Sequence, residues 1–133
     1  MEEHLENQVW QRVRGGTDTA GALRECLRRQ GELLGMYRGI SRRSSQGRQL
    51  FEQKSHQIAC LRGLLRVLTG QVAAPPRSPE VPADLLRCHR EEMEFLRQLQ
   101  RWSREGEHAQ LFDALADRQK CQCRLVLELL GTM

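Results

Sequence analysis

The stretch Ala73–Pro82 reads AAPPRSPEVP and contains all four prolines of the 133-residue chain, Pro75, Pro76, Pro79 and Pro82. Fixed backbone dihedrals and missing amide donors keep such a run out of any helix interior, so it divides the chain near its middle. On either side the apolar residues recur at helical spacing. Leu23, Cys26, Leu27, Leu34 and Tyr37 line one stripe, and Leu61, Leu64, Val67 and Leu68 line a second. Leu85, Cys88, Phe95, Leu96, Leu99 and Trp102 mark a third, and Leu111, Leu115, Val126 and Leu129 a fourth. The stretch Ser41–Gly47 breaks the first half and Arg101–His108 breaks the second, while no segment reads as a strand. Short connections within each half and one long connection between them predict an all-α, antiparallel four-helix bundle. It is built from a hairpin over 17–70, a Pro-rich linker over 71–83 and a hairpin over 84–133. Residues 1–14 read as a short amphipathic helix whose apolar face, Leu5, Val9, Trp10 and Val13, is expected to cover the bundle end or a homodimer contact.

Composition narrows the function classes. The net charge of +4 arises from 21 basic and 17 acidic residues, and the two signs alternate within the same segments. That pattern describes a self-paired helical surface and excludes a nucleic-acid face. The opening MEEHLENQVW is acidic and lacks the n- and h-regions of a secretory signal, and no apolar run approaches the roughly 20 residues of a membrane span. A cytoplasmic location away from the membrane is therefore expected, and there the five cysteines would be thiols.

The two halves resemble one another when shifted by 62 residues, which places Cys26 on Cys88, Gln30 on Glu92, Leu34 on Leu96 and Ser41 on Ser103. A duplicated helical hairpin is implied. Polar residues sit on or beside each stripe, namely Gln30, Gln53, Glu92 and Gln119. Gln30 is followed seven residues later by Tyr37, Gln53-x-x-His56 runs into LRGLLRVLTG, and LADRQKCQ enters the last helix. On these frames, over roughly Leu23 to Gly131, the chain resembles the ferritin-like superfamily, particularly small bacterial rubrerythrin-like proteins. The resemblance implies a bundle core in which a Glu from each of two helices and a Glu-x-x-His from each of the other two hold two irons. The matching positions are Gln30 and Glu92 for the single ligands, with Gln53 and His56, then Gln119 and Gln122, for the pairs. Matching Leu111-Phe112 to Leu50-Phe51 instead would put Ala114 and Asp117 at the ligand positions of the fourth helix.

Two ferrous ions carry four positive charges, whereas Glu92 and His56 stand here among neutral amides, so a di-iron centre of the usual kind is not expected. The glutamines would then form a buried hydrogen-bonded layer with Tyr37. The cysteines suggest a replacement. Cys26 and Cys88 precede Gln30 and Glu92 by four residues, and Cys60 and Cys123 follow His56 and Gln119 by four. In an antiparallel bundle all four spacings lead to the same end of the core, about 6 Å along the axis from the vacated site. Thiolates select copper, zinc or an iron–sulfur cluster. The candidate metal residues are accordingly Cys26, Cys60, Cys88, Cys123 or its neighbour Cys121, His56 and Glu92. Two functions of different class result: a ferritin-like bundle with a thiolate metal or iron–sulfur site, and a metal-free structural or interaction protein on the same scaffold. His89, one residue from Cys88, points to a different part of the helix surface and is not placed to activate it as a nucleophile, and the residues name no enzymatic reaction, redox partner or protein partner.

Overall fold

The computed structural model describes residues 19–105 and 108–131. Four helices account for almost all of them: α1 Thr19–Ser41, α2 Ser45–Thr69, α3 Leu85–Glu105 and α4 Ala109–Gly131. No strand occurs among the described residues. The N-terminal helix expected over 1–14 lies outside the described residues.

α1 and α3 bury most of the stripe that their apolar spacing predicts, whereas of the expected α2 stripe Leu61 is buried, Leu64 half-buried and Val67 and Leu68 exposed, and of the expected α4 stripe only Val126 is fully buried. α1 buries Leu23, Cys26, Leu27, Leu33, Tyr37 and Ile40, and α3 buries Leu85, Cys88, Phe95, Leu96 and Leu99. α2 contributes Leu50, Ile58, Leu61 and Leu65, α4 contributes Phe112, Ala116, Cys123 and Val126, and all of these join one core. The helix ends are set by local chemistry. Ser44 stands in extended conformation and its hydroxyl accepts the Gly47 amide at 2.9 Å, capping α2 after a connection of only three residues. At the other end Gly70 takes a left-handed φ of 72° and returns its amide to the Arg66 carbonyl, a conformation that favours glycine. The Asp84 carboxylate accepts the Arg87 amide at 2.8 Å and starts α3.

α1 packs along α2, α3 packs along α4, and α1 also touches α3. α2 and α4 have no comparable packing. They are joined by side chains reaching over a gap, with Gln57 Nε2 donating to Gln122 Oε1 at 3.3 Å, so this side of the molecule is open.

The Pro-rich segment is more than a spacer. It runs back over the outer face of α1, where Gly31, Gly35 and Gly39 recur every fourth residue. The Val81 amide donates to the Gly35 carbonyl at 3.2 Å, Arg38 reaches Ser78 at 3.1 Å, and Arg42 pairs with Glu80 at 3.1 Å. Arg62 of α2 holds the start of the segment through the Ala73 carbonyl at 2.9 Å. Gly31 and Gly35 are consequently buried on a side of α1 that points away from the core stripe.

Candidate functional site: a lysine-centred polar core

Polar side chains from all four helices enter the middle of the core. Gln30 and Tyr37 come from α1, Lys54 and Gln57 from α2, Glu92 from α3, and Gln119 and Gln122 from α4, with Gln57 only half-buried. At their centre the Lys54 ammonium, fully buried, faces the fully buried Glu92 carboxylate at 2.9 Å. The ammonium has three protons and meets three acceptors: Glu92 Oε1, Gln30 Oε1 at 2.6 Å and Gln57 Oε1 at 3.0 Å. The carboxylate is matched as fully. Oε1 also accepts from Gln119 Nε2 at 2.9 Å, and Oε2 accepts the Tyr37 hydroxyl at 2.9 Å. Gln119 reaches the Glu92 carbonyl as well, at 2.8 Å.

These hydrogen bonds dictate one another. Because Gln57 must turn its oxygen to Lys54, its nitrogen faces Gln122 Oε1, and because Gln30 does likewise, its nitrogen faces Gln57 Oε1 at 3.3 Å. Such a connected network offsets part of the desolvation penalty that an isolated buried charge would carry in full. Burial still pulls the Lys54 pKa below its ordinary value, with the Glu92 charge opposing. Burial and the same carboxylate push the Tyr37 hydroxyl well above its usual range, so it stays a donor.

The structure differs from the sequence reading in the register of α2. Gln53 and His56 are expected from their spacing to face inward; Gln53 is half-buried and His56 is exposed, and the inward pair is Lys54-x-x-Gln57. A shift of one residue turns a side chain by about 100° around a helix. The six core positions then read Gln30, Lys54-x-x-Gln57, Glu92 and Gln119-x-x-Gln122, one polar residue or one i, i+3 pair per helix.

The cysteines divide between core and surface. Cys26, Cys88 and Cys123 are buried, whereas Cys60 and Cys121 are exposed. Four residues after Gln57, which takes the place expected for His56, comes Leu61, which is buried where the sequence pattern calls for a fourth thiol. Cys60 instead sits 3.6 Å from the His56 Nε2 on the outside of α2. Among the described residues no three His, Cys, Asp or Glu side chains stand together as a group able to hold a metal ion. Glu92 is engaged with Lys54, Tyr37 and Gln119.

Burial also sets the chemistry of the inner thiols. It pushes Cys88 from 9.0 up to about 12 and Cys123 up to about 11, in both cases with help from the Glu92 charge. Cys26 moves in the same direction by burial, helped by Glu25. At neutral pH, Cys60 and Cys121 should therefore react promptly with a thiol reagent, and the other three only after unfolding. Five prompt thiols would contradict this packing.

Stability should also fall above pH 9. There the unfolded chain has released thiol protons that the folded chain retains, which favours unfolding by about 1.4 kcal/mol per pH unit for each thiol. Lys54 works in the opposite sense, because its folded pKa lies below the ordinary 10.5. Three thiols, joined above about pH 10 by the Tyr37 hydroxyl, fall against one rising contribution and leave a net decline, readable as a drop in urea midpoint between about pH 9 and pH 11. A flat or rising profile would show that the inner thiols ionise freely.

Beside this centre lies an open groove of about 470 Å³ between α2 and α4. Glu52 and His56 stand on one wall, Arg118 and Cys121 on the other, and Gln57 and Gln122 of the polar network also line it.

No family model, curated protein or solved structure matches this chain. No helix among the described residues is long and apolar enough to cross a membrane.

Proposed function

We propose that this chain is a metal-independent structural or interaction protein on a ferritin-like scaffold, two helical hairpins whose metal-binding centre has been taken over by an internal ion pair. One observation carries the reading: the Lys54 ammonium, with all three donors satisfied, occupies the middle of a six-position polar frame. The spacing of that frame, single residues on α1 and α3 and i, i+3 pairs on α2 and α4, is the ligand frame of di-iron bundles. A lysine there supplies by covalent attachment the positive charge that a metal would bring, and Glu92 is the one carboxylate it needs. Chemistry based on exchange of an ion is replaced by a fixed charge that pins helix register.

The thiolate reading, with copper, zinc or an iron–sulfur cluster on Cys26, Cys88 and Cys123, finds less support, since burial holds these thiols protonated and Leu61 stands where the fourth would have to be. Elemental and sulfide analysis of freshly purified, anaerobically handled protein separates the two. The proposal expects core-bound metal far below one equivalent per chain and unchanged helicity after chelation. Stoichiometric metal or sulfide that is lost in Cys88→Ser would overturn it.

A further inference from the structure

Ser78 is the only serine or threonine of the chain that is followed by a proline. It lies in the Pro-rich segment, outside any helix and half-buried. Pro79 confines the Ser78 backbone to the extended region, the form in which an acceptor serine can lie along a kinase cleft. The Ser78 hydroxyl accepts a hydrogen bond from Arg38 Nη2 at 3.1 Å.

Arg38 has binding capacity left over. Its guanidinium carbon lies 5.3 Å from the centroid of the Phe51 ring, and among the described residues no carboxylate pairs with it. Its Nε is buried and has no hydrogen-bond partner. Nε and Nη2 share one edge of the guanidinium plane, an edge that takes an oxyanion by two parallel hydrogen bonds. Here one donor of that edge goes to Ser78 and the other is unused. An oxyanion carried on Ser78 Oγ would engage both, and it would bring the counter-charge that a half-buried arginine lacks. The neighbouring Arg42 is already paired with Glu80 at 3.1 Å, which leaves Arg38 as the cation for the new group.

We propose that Ser78 is a phosphorylation site whose phosphate is clamped by Arg38, locking the Pro-rich segment onto α1. The donor is a nucleoside triphosphate bound to a serine kinase that reads the following proline. The bond from the γ-phosphorus to the β–γ bridging oxygen breaks and the bond to Ser78 Oγ forms. The hydroxyl proton passes to the catalytic base of the kinase, and the nucleoside diphosphate leaves. One backbone hydrogen bond, Val81 to Gly35, ties the segment to α1, so it can lift to be modified. Once modified it returns to a tighter seat, because a phosphate opposite an arginine makes charge-assisted hydrogen bonds. This site lies on the outer face of α1, apart from the lysine-centred core, so the two readings can fail separately.

The full-length protein is tested in two forms, one incubated with a proline-directed serine kinase and magnesium-ATP, the other made with phosphoserine placed directly at position 78. The kinase should add one phosphate to the parent chain and none to Ser78→Ala, as read by intact mass. In the phosphoserine form, a protease should cut the 71–83 segment roughly tenfold more slowly than in the parent, the effect of one charge-assisted hydrogen bond. Arg38→Gln should abolish that gain with helicity unchanged by circular dichroism. Phosphorus-31 titration needs no variant: beside Arg38 the phosphate should release its second proton below the ordinary value of about 6 and return to that value in urea. A Ser78 left unmodified after exhaustive incubation would overturn the site. Equal or faster cleavage of the phosphoserine form, or a phosphate that titrates at its ordinary value in the folded chain, would overturn the clamp.

Discussion

Replacing Lys54 with methionine is expected to cost the folded chain about 3–5 kcal/mol, the range found when one partner of a buried ion pair is removed. Methionine fits the aliphatic course of the side chain, so the loss is not a packing loss. It leaves the Glu92 carboxylate fully buried, still held by Tyr37 and Gln119 but facing no counter-charge. Gln30 and Gln57 lose their shared donor at the same time. Glu92→Gln should be damaging for the mirrored reason, leaving an ammonium in the core among neutral acceptors. The double replacement Lys54→Met with Glu92→Leu should recover most of the loss, since a buried pair exchanged for apolar residues is often neutral or stabilising. Urea midpoints of the three variants decide the matter. A Lys54→Met protein within about 1 kcal/mol of the parent would mean that the ammonium is not buried against Glu92 in solution, and the proposed role of the core would fall with it.

That outcome turns on a residue that the sequence pattern disguises. Gln30, Glu92, Gln119 and Gln122 are legible as inward positions, because each is flanked at helical spacing by Leu, Phe or Val. Lys54 is flanked just as clearly, by Leu50 four residues before, Ile58 four after and Leu61 seven after. Yet a lysine on an apolar stripe is ordinarily a side chain whose charged tip escapes to water. The neighbouring Gln53-x-x-His56 offers a more familiar spacing. Periodicity fixes the face of a helix only to the nearest residue or so, and one residue here exchanges Gln53 for Lys54 at the centre and Cys60 for Leu61 in the core. What would have distinguished them is arithmetic on charge: Glu92 in a core of amides requires a cation, and among the described residues Lys54 is the only buried basic side chain.

The course of the prolines was legible as a break and not as a structure. Four helices with two short connections and one long one follow from the composition of the segments. That the long connection lies flat on α1 depends instead on Gly31, Gly35 and Gly39, whose meaning appears only when a second backbone is seen against them.

Gly35→Ala should therefore destabilise the protein where helix propensity alone would predict the reverse. In an open helix, alanine gains up to about 1 kcal/mol over glycine. A Cβ at position 35, however, would fall 2.1 Å from the Pro79 carbonyl oxygen, a backbone atom that cannot turn aside. The segment must lift, and with it go the Val81–Gly35 hydrogen bond and the contacts of Ser78 and Glu80 with Arg38 and Arg42. Overpacking of this kind costs about 1–3 kcal/mol, and a lost backbone hydrogen bond about 1 kcal/mol more. Gly63 of α2 is the internal control, since a Cβ there meets nothing within 4 Å and Gly63→Ala should stabilise by up to about 1 kcal/mol. The two substitutions are chemically identical and both lie in helices, so the sign difference isolates the contact with the Pro-rich segment. Gly35→Ala should also make the 71–83 segment more readily cut by a protease, because its backbone would no longer be held against α1. Equal midpoints for the two variants, with no gain in cleavage, would show that the segment leaves α1 uncovered in solution.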